Sequence, residues 1–146
     1  MSSDLARILD VATQAASAGG QILQRYWHDG VKFHDKSLQG GKPYDLVSDA
    51  DLESQSVIAS HLNDAFPDHA VMGEEDLVAD VDAEHLWIVD PLDGTNNFAH
   101  HVPHFAVSIA YWHYGKPLIG IVHNPAREDW YVAVSGKGAT YNDQAV

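Results

Sequence analysis

The run Leu86-Trp87-Ile88-Val89 enters Asp90 and is stopped one residue later by Pro91, which has no N–H to donate to a sheet ladder. An apolar strand therefore ends where two carboxylates, Asp90 and Asp93, begin. Asp93-Gly94 turns the chain, and Thr95-Asn96 suit the opening of a helix or helical turn. The amides around Gly94 and Thr95 would then face outward, beside the acids. Such amides bind an anion and clustered carboxylates bind a hard cation, so one loop offers both parts of a metal and phosphate site.

A shorter copy of this design lies upstream, where Ala70-Val71-Met72 is ended by Gly73 and followed by Glu74-Glu75-Asp76. If the two runs are neighbours in one sheet, Glu74, Asp90 and Asp93 converge. Three carboxylates at one spot repel unless cations lie between them, and oxygen-only ligands favour Mg²⁺, Ca²⁺ or Mn²⁺ over zinc or copper. The absence of cysteine agrees with that choice and excludes thiol chemistry and disulfides. Glu75 and Asp76 read as solvent-facing or supporting acids. His100, His101 and His104 are irregularly spaced, and a carboxylate site needs no imidazole.

Around this centre the chain reads as one domain over residues 1–146, with 45% apolar residues to build its core. A formal charge of −13 argues against nucleic acid or an anionic membrane surface as partner, so a phosphorylated substrate must be attracted locally, by metal. No apolar run reaches the roughly 18 residues of a membrane span and no secretory signal is legible, which makes the cytoplasm the expected compartment.

Helical periodicity over Asp4–Trp27, with Ser3-Asp4 as a cap, predicts a first long helix whose Ala-rich middle and Gly19-Gly20 offer a flat face for close packing. Val31–His34 reads as a short strand and 35–43 as a loop. Ser48 suits an N-cap for a second helix running to about Asp64, with Leu52, Val57, Ile58, His61 or Leu62, and Phe66 toward the core. Asp51 then reads either as the acid that answers the cap or as an auxiliary metal acid. Ala106–Trp112, Leu118–Val122, Trp130–Val134 and Ala139–Tyr141 are short runs separated by turn residues, which predicts an antiparallel meander. The fold class is α+β, two long helices packed on a mainly antiparallel sheet. Ile109, Trp112, Ile119, Ile121, Trp130 and Val132 are too many to face the same two helices, so a second apolar face is expected to need cover. Trp87 and Phe98 read as core anchors.

Gly73-Glu74-Glu75 together with Trp87-Ile88-Val89-Asp90-Pro91-Leu92-Asp93-Gly94-Thr95, then Asn97-Phe98, resembles the inositol monophosphatase family of Mg²⁺-dependent, lithium-sensitive phosphatases. The likeness extends from the first helix through Asp45-Leu46-Val47-Ser48 to Gly136-Lys137-Gly138-Ala139, and implies the N-terminal half of that family's αβαβα sandwich. Members run to roughly twice this length, a plausible single-domain size. Their second half carries a Trp-Asp motif that completes the metal site, and no Trp-Asp pair occurs here.

The resemblance implies hydrolysis of a small phosphate monoester, such as inositol monophosphate, by water activated by Mg²⁺, in line and without a covalent intermediate. It implies roughly two or three Mg²⁺ ions in a complete site, with Mn²⁺ as a substitute. By position, Glu74 would hold the first metal and, with the Thr95 hydroxyl, orient water. Asp90 would bridge metals and the Leu92 carbonyl would complete the first site. Asp93 would hold the second metal, and the Gly94 and Thr95 amides would hold phosphate. Asp51 would be the auxiliary acid. A homodimer or a complementing C-terminal segment is expected to complete the assembly. Two other readings stand beside this one: a metal- and phosphate-binding piece without turnover, and a haloacid-dehalogenase-type phosphatase. The latter is mimicked by Leu92-Asp93-Gly94-Thr95 but has Pro91 where its nucleophile would stand.

Overall fold

Ser2 opens the first helix, α1 (Ser3–His28), by accepting the Leu5 amide on its hydroxyl at 3.1 Å. The cap is thus one residue earlier than the expected Ser3-Asp4. The apolar stripe of α1 buries Ile8, Ala12, Ala15, Ala16 and Leu23, and the small residues let the next helix approach. A Cβ added at Gly19 would stand 2.6 Å from Ile58 Cδ1, so the close crossing depends on that glycine. The structure, a computed structural model, describes residues 1–29, 43–73 and 82–146, with backbone alone for residues 43–46. The strand expected over Val31–His34 and the acids Glu74, Glu75 and Asp76 lie outside the described residues.

The second helix, α2 (Pro43–Ala65), begins five residues before the expected cap. Proline suits a first helical position because its fixed φ is already helical. Ser48 therefore lies inside the helix, and Asp51 is not an answering acid at its N-terminus. The phase also differs from expectation. Ala50, Asp51, Ser54, Gln55, Ile58 and Leu62 are buried, whereas Leu52 is 43% exposed. The inward stripe of α2 is polar for its first half, so a search for apolar residues selected the wrong face there.

The helices lie on one side of a seven-stranded sheet whose spatial order is the chain order: β1 (Ala70–Gly73), β2 (His85–Asp93), β3 (Ala106–His113), β4 (Lys116–Asn124), β5 (Asp129–Val134), β6 (Gly138–Tyr141) and β7 (Gln144–Ala145). Among the described residues only β1 and β2 pair in parallel, with Gly73 opposite Val89, and every later pair is antiparallel. A short helix, α3 (Thr95–Ala99), follows β2. This is the expected α+β architecture, with β7 added.

Register shows which residues face the helices. Ile109 pairs with Ile121 and Ile121 with Val132, while His123 pairs with Trp130, so these side chains share one face and pack with the helices. Most of the apolar set expected on the outer face is therefore turned to the helices, and the outer face carries Leu86, Ile88, Trp112 and Val122 instead. Of the six residues considered, only Trp112 points the other way. Outward stand Ser108, Ala110, Gly120, Val122, Tyr131 and Ala133, a shallow and mixed surface. Trp87, fully buried, and Phe98, 6% exposed, anchor the two ends of the central stretch, as expected. Among the described residues no helix is long and apolar enough to cross a membrane.

Candidate metal and phosphate site

The alternation that buries Trp87 and Val89 turns Asp90 to the outer face, where it pairs with Ser108. Ser108 pairs with Val122, and Val122 with Tyr131, so Asp90 begins a row that crosses the sheet. The register then slips between Asp90 and Asp93, leaving Pro91 and Leu92 without partners on β3. Two side-chain contacts shape this bulge. The Asp90 carboxylate accepts the Leu92 amide at 3.2 Å, and the carbonyl of Pro91 accepts the Ser54 hydroxyl at 3.0 Å. Leu92 is buried and Asp93 is exposed, so the slip sends one side chain into the core and the next acid out to solvent.

Gly94 caps α3 at φ 87°, a left-handed conformation. A Cβ there would lie 2.9 Å from the His104 carbonyl oxygen, so side-chain volume is excluded as well. Having no side chain, Gly94 offers no acceptor to the first amides of α3, and the first intrahelical bond is Phe98 N–H to the Gly94 carbonyl at 3.0 Å. Thr95 is the first helical residue and exposed, so the cap is Gly94 and not the Thr95 hydroxyl. Its expected pairing with Glu74 lies outside the described residues. The last described residue of β1, Gly73, is aligned with the residue just before Asp90.

Beside this turn opens a cleft of about 500 Å³, lined by Asp93, Gly94, Asn97, Asn124, Arg127 and Tyr131 among others. Amide side chains fix its walls. Asn97 donates to the His104 carbonyl at 2.8 Å, and Asn124 donates to the Pro103 carbonyl at 3.1 Å while accepting the amides of Ala126 and Arg127. Arg127 reaches Asp129 at 3.7 Å, and Asp129 also accepts the Tyr141 hydroxyl at 2.6 Å. A guanidinium and the Asp93 carboxylate thus line one cleft, the first giving charge for an anion and the second for a cation.

Asp51 is 6% exposed on the stripe of α2 that carries Ser54, one turn ahead of it, and Ser54 is the residue that touches Pro91. Asp51 is therefore on the face packed toward the β2 turn. Ser54 itself was missed by sequence reasoning. Its only signal was a helical spacing from Asp51. His101 is occupied elsewhere: it stacks on Trp27 at 3.9 Å and makes a 3.1 Å contact with the Trp27 carbonyl, while His100 Nδ1 lies 2.7 Å from the Asn96 carbonyl oxygen.

The two side chains that could hold a metal at this turn, Asp90 and Asp93, are carboxylates, a donor type that fits a hard divalent cation and not a thiophilic one. The sequence matches the profile described as the inositol monophosphatase family over residues 4–146. The chain belongs to the inositol monophosphatase family. Similar curated proteins include an inositol-1-monophosphatase of Mesorhizobium japonicum, 41% identical over 138 residues that are 94% of this chain and 51% of that one. Another is the Nus factor SuhB of Pseudomonas aeruginosa, 36% identical over 140 residues, 92% of this chain and 50% of that protein. Among solved structures, an inositol monophosphatase from Anabaena superposes with a TM-score of 0.82 at 34% identity, covering 99% of this chain and 50% of that one. The chain spans about half the length of the curated relatives it matches. Membership in this family removes the haloacid-dehalogenase reading, and Pro91, buried with its carbonyl bonded to Ser54, has no group that could serve as a nucleophile.

Proposed function

We propose that this chain carries the metal- and phosphate-binding part of a phosphomonoesterase, acting on a small phosphorylated metabolite such as an inositol monophosphate. The observation that carries the reading is the bulge between Asp90 and Asp93. It carries Asp93 to the exposed surface three residues after the half-buried Asp90, directly before a helical turn whose Gly94 cap offers no side-chain acceptor to the first amides. Glu74, Asp90, the Leu92 carbonyl and Asp93 would hold Mg²⁺, with Mn²⁺ as substitute, and Asp51 would add negative charge from α2. The bound cations would supply an activated water and neutralise charge on the phosphoryl oxygens. The protein's own share is positional. The Gly94 and Thr95 amides orient the phosphate, the Thr95 hydroxyl fixes the direction of the attacking water with Glu74 as proton acceptor, and the bulge holds the acids apart.

A second reading has an observation in its favour: the chain aligns with only about half of its relatives' length, and it lacks the Trp-Asp pair. In that reading it binds metal and phosphate without turnover until a homodimer partner or complementing segment covers the outer face beside Asp90. The discriminating experiment is inorganic phosphate release from inositol monophosphate by the purified chain, with Mg²⁺ and with EDTA. Mg²⁺-dependent turnover at ordinary rates, roughly 1 s⁻¹ or faster, supports the enzyme. Mg²⁺-dependent phosphate binding without release supports the second reading. Absence of both would overturn each of them.

A further inference from the structure

At the end of β2 away from Asp90, three histidines stand in one row. His69 directly precedes β1, whose Ala70 pairs with Leu86, and His85 pairs with His113. Their rings stack, with centroids 4.2 Å apart for His69 and His85 and 5.0 Å for His85 and His113. Glu84 closes the row. Its Oε1 lies 3.6 Å from His85 Nε2 and 3.5 Å from His113 Nε2, and one donor atom from each of the three residues falls within 4.8 Å of the others.

The two distances from Glu84 are too long for strong hydrogen bonds. They are close to the distance between neighbouring ligands on a tetrahedral ion: bonds of about 2.0–2.1 Å give an edge of roughly 3.3 Å. Two further contacts prepare the donors. His85 Nδ1 lies 2.7 Å from the hydroxyl of Tyr111, which is 2% exposed, so the ring is held by its far nitrogen and presents Nε2 to Glu84. The Tyr114 amide donates to the Glu84 carbonyl at 2.8 Å, fixing Glu84 beside the turn that follows β3. His69 is the buttress and not a donor, because its Nδ1 already accepts the Trp87 indole N–H at 3.0 Å.

We propose that Glu84, His85 and His113 bind a divalent transition-metal ion of the zinc class, with the fourth position left to water or an added ligand. The site is roughly 17 Å along β2 from Asp90, five residues at about 3.4 Å each. Its chemistry is also distinct. Two imidazoles and one carboxylate select Zn²⁺, Co²⁺, Ni²⁺ or Cu²⁺, whereas the oxygen-only turn selects Mg²⁺ or Mn²⁺. An ion there would clip the residue entering β2 to the last residue of β3.

Calorimetric titration with Zn²⁺ in excess Mg²⁺, repeated with Co²⁺ and read by its visible tetrahedral bands, tests the site. We expect one equivalent to bind, with affinity at least tenfold weaker in His113→Ala and in Glu84→Gln, and unchanged in Asp90→Asn. His85→Ala removes the partner of the buried Tyr111 hydroxyl and the middle ring of the row, so the half-exposed His113 is the variant on which the test turns. Zn²⁺ should raise the melting temperature of the wild type and not of His113→Ala. Failure of the wild type to bind, binding undiminished in His113→Ala, or binding lost in Asp90→Asn would each overturn the assignment.

Discussion

The Ser54 hydroxyl lies 3.0 Å from the carbonyl oxygen of Pro91, joining a buried polar position of α2 to the residue that follows Asp90. Ser54→Ala would leave that buried carbonyl without its donor, at a cost of about 1–3 kcal/mol. Urea unfolding should show the loss as a lower midpoint with an unchanged slope. A midpoint equal to wild type would mean that the contact contributes nothing.

Gly94→Ala should be more harmful than the same change at Gly115. Both glycines have positive φ, 87° and 75°, but a Cβ at Gly94 meets the His104 carbonyl oxygen at 2.9 Å while nothing lies within 4 Å at Gly115. The left-handed conformation alone costs alanine roughly 1–2 kcal/mol, and the collision adds to it only at Gly94. Thermal melts of the two variants measure the difference. Equal losses would show that the turn relaxes freely.

Asp90→Asn retains an oxygen able to accept the Leu92 amide, so the bulge should persist and stability should change by less than about 1 kcal/mol. The charge that attracts cations is nevertheless removed. Calorimetry with Mg²⁺ or Mn²⁺ should therefore show at least tenfold weaker binding in a folded protein. Identical isotherms would remove Asp90 from the metal site.

His69 makes stability depend on pH. Burial first, and the neighbouring His85 second, lower its pKa from 6.5 to about 4. The unfolded chain thus takes up this proton near pH 6.5 and the folded chain only near pH 4, so the stabilisation is complete above pH 6.5 and is lost as pH falls toward 4. His123, whose pKa is also lowered by burial, acts in the same direction. We expect the urea midpoint to fall between pH 7 and pH 5, and to fall less in His69→Gln. Parallel slopes for both proteins would exclude His69 as a source.

The strand, the acids, the turn and the short helix from Leu86 to Phe98 were legible because an apolar run, a glycine at positive φ and a polar helix start agree, although Pro91 makes a bulge and β2 continues to Asp93 where a strand end was expected. The start of α2 was not. Ser48 is a good cap in isolation, yet Pro43 opens the helix earlier, and the buried stripe then carries Asp51, Ser54 and Gln55, which no apolar period can find. Faces of the sheet were misjudged for a different reason. Whether odd or even residues point inward is reset at every hairpin, so Ile121 and Val132 are neighbours although their numbers differ in parity. Glu84, His85 and His113 were invisible for the same cause, since only the register of β2 on β3 brings residue 113 beside residue 85.

Because strand order follows chain order from β1 to β7, each antiparallel pair from β3 onward closes a loop of two to four residues. The tightest are Tyr114-Gly115 and Asn142-Asp143, where both residues have positive φ and the backbone twist matches that of the strands it joins. Closing such loops costs little entropy, and the cost grows slowly with length. The meander from β3 to β7 can therefore assemble one hairpin at a time, whereas β2 and β1 join it through connections of 12 and 11 residues. Asp90 thus sits at a kinetic as well as a spatial boundary: the strand that carries it is joined on both sides by long connections, next to a meander that closes by tight ones.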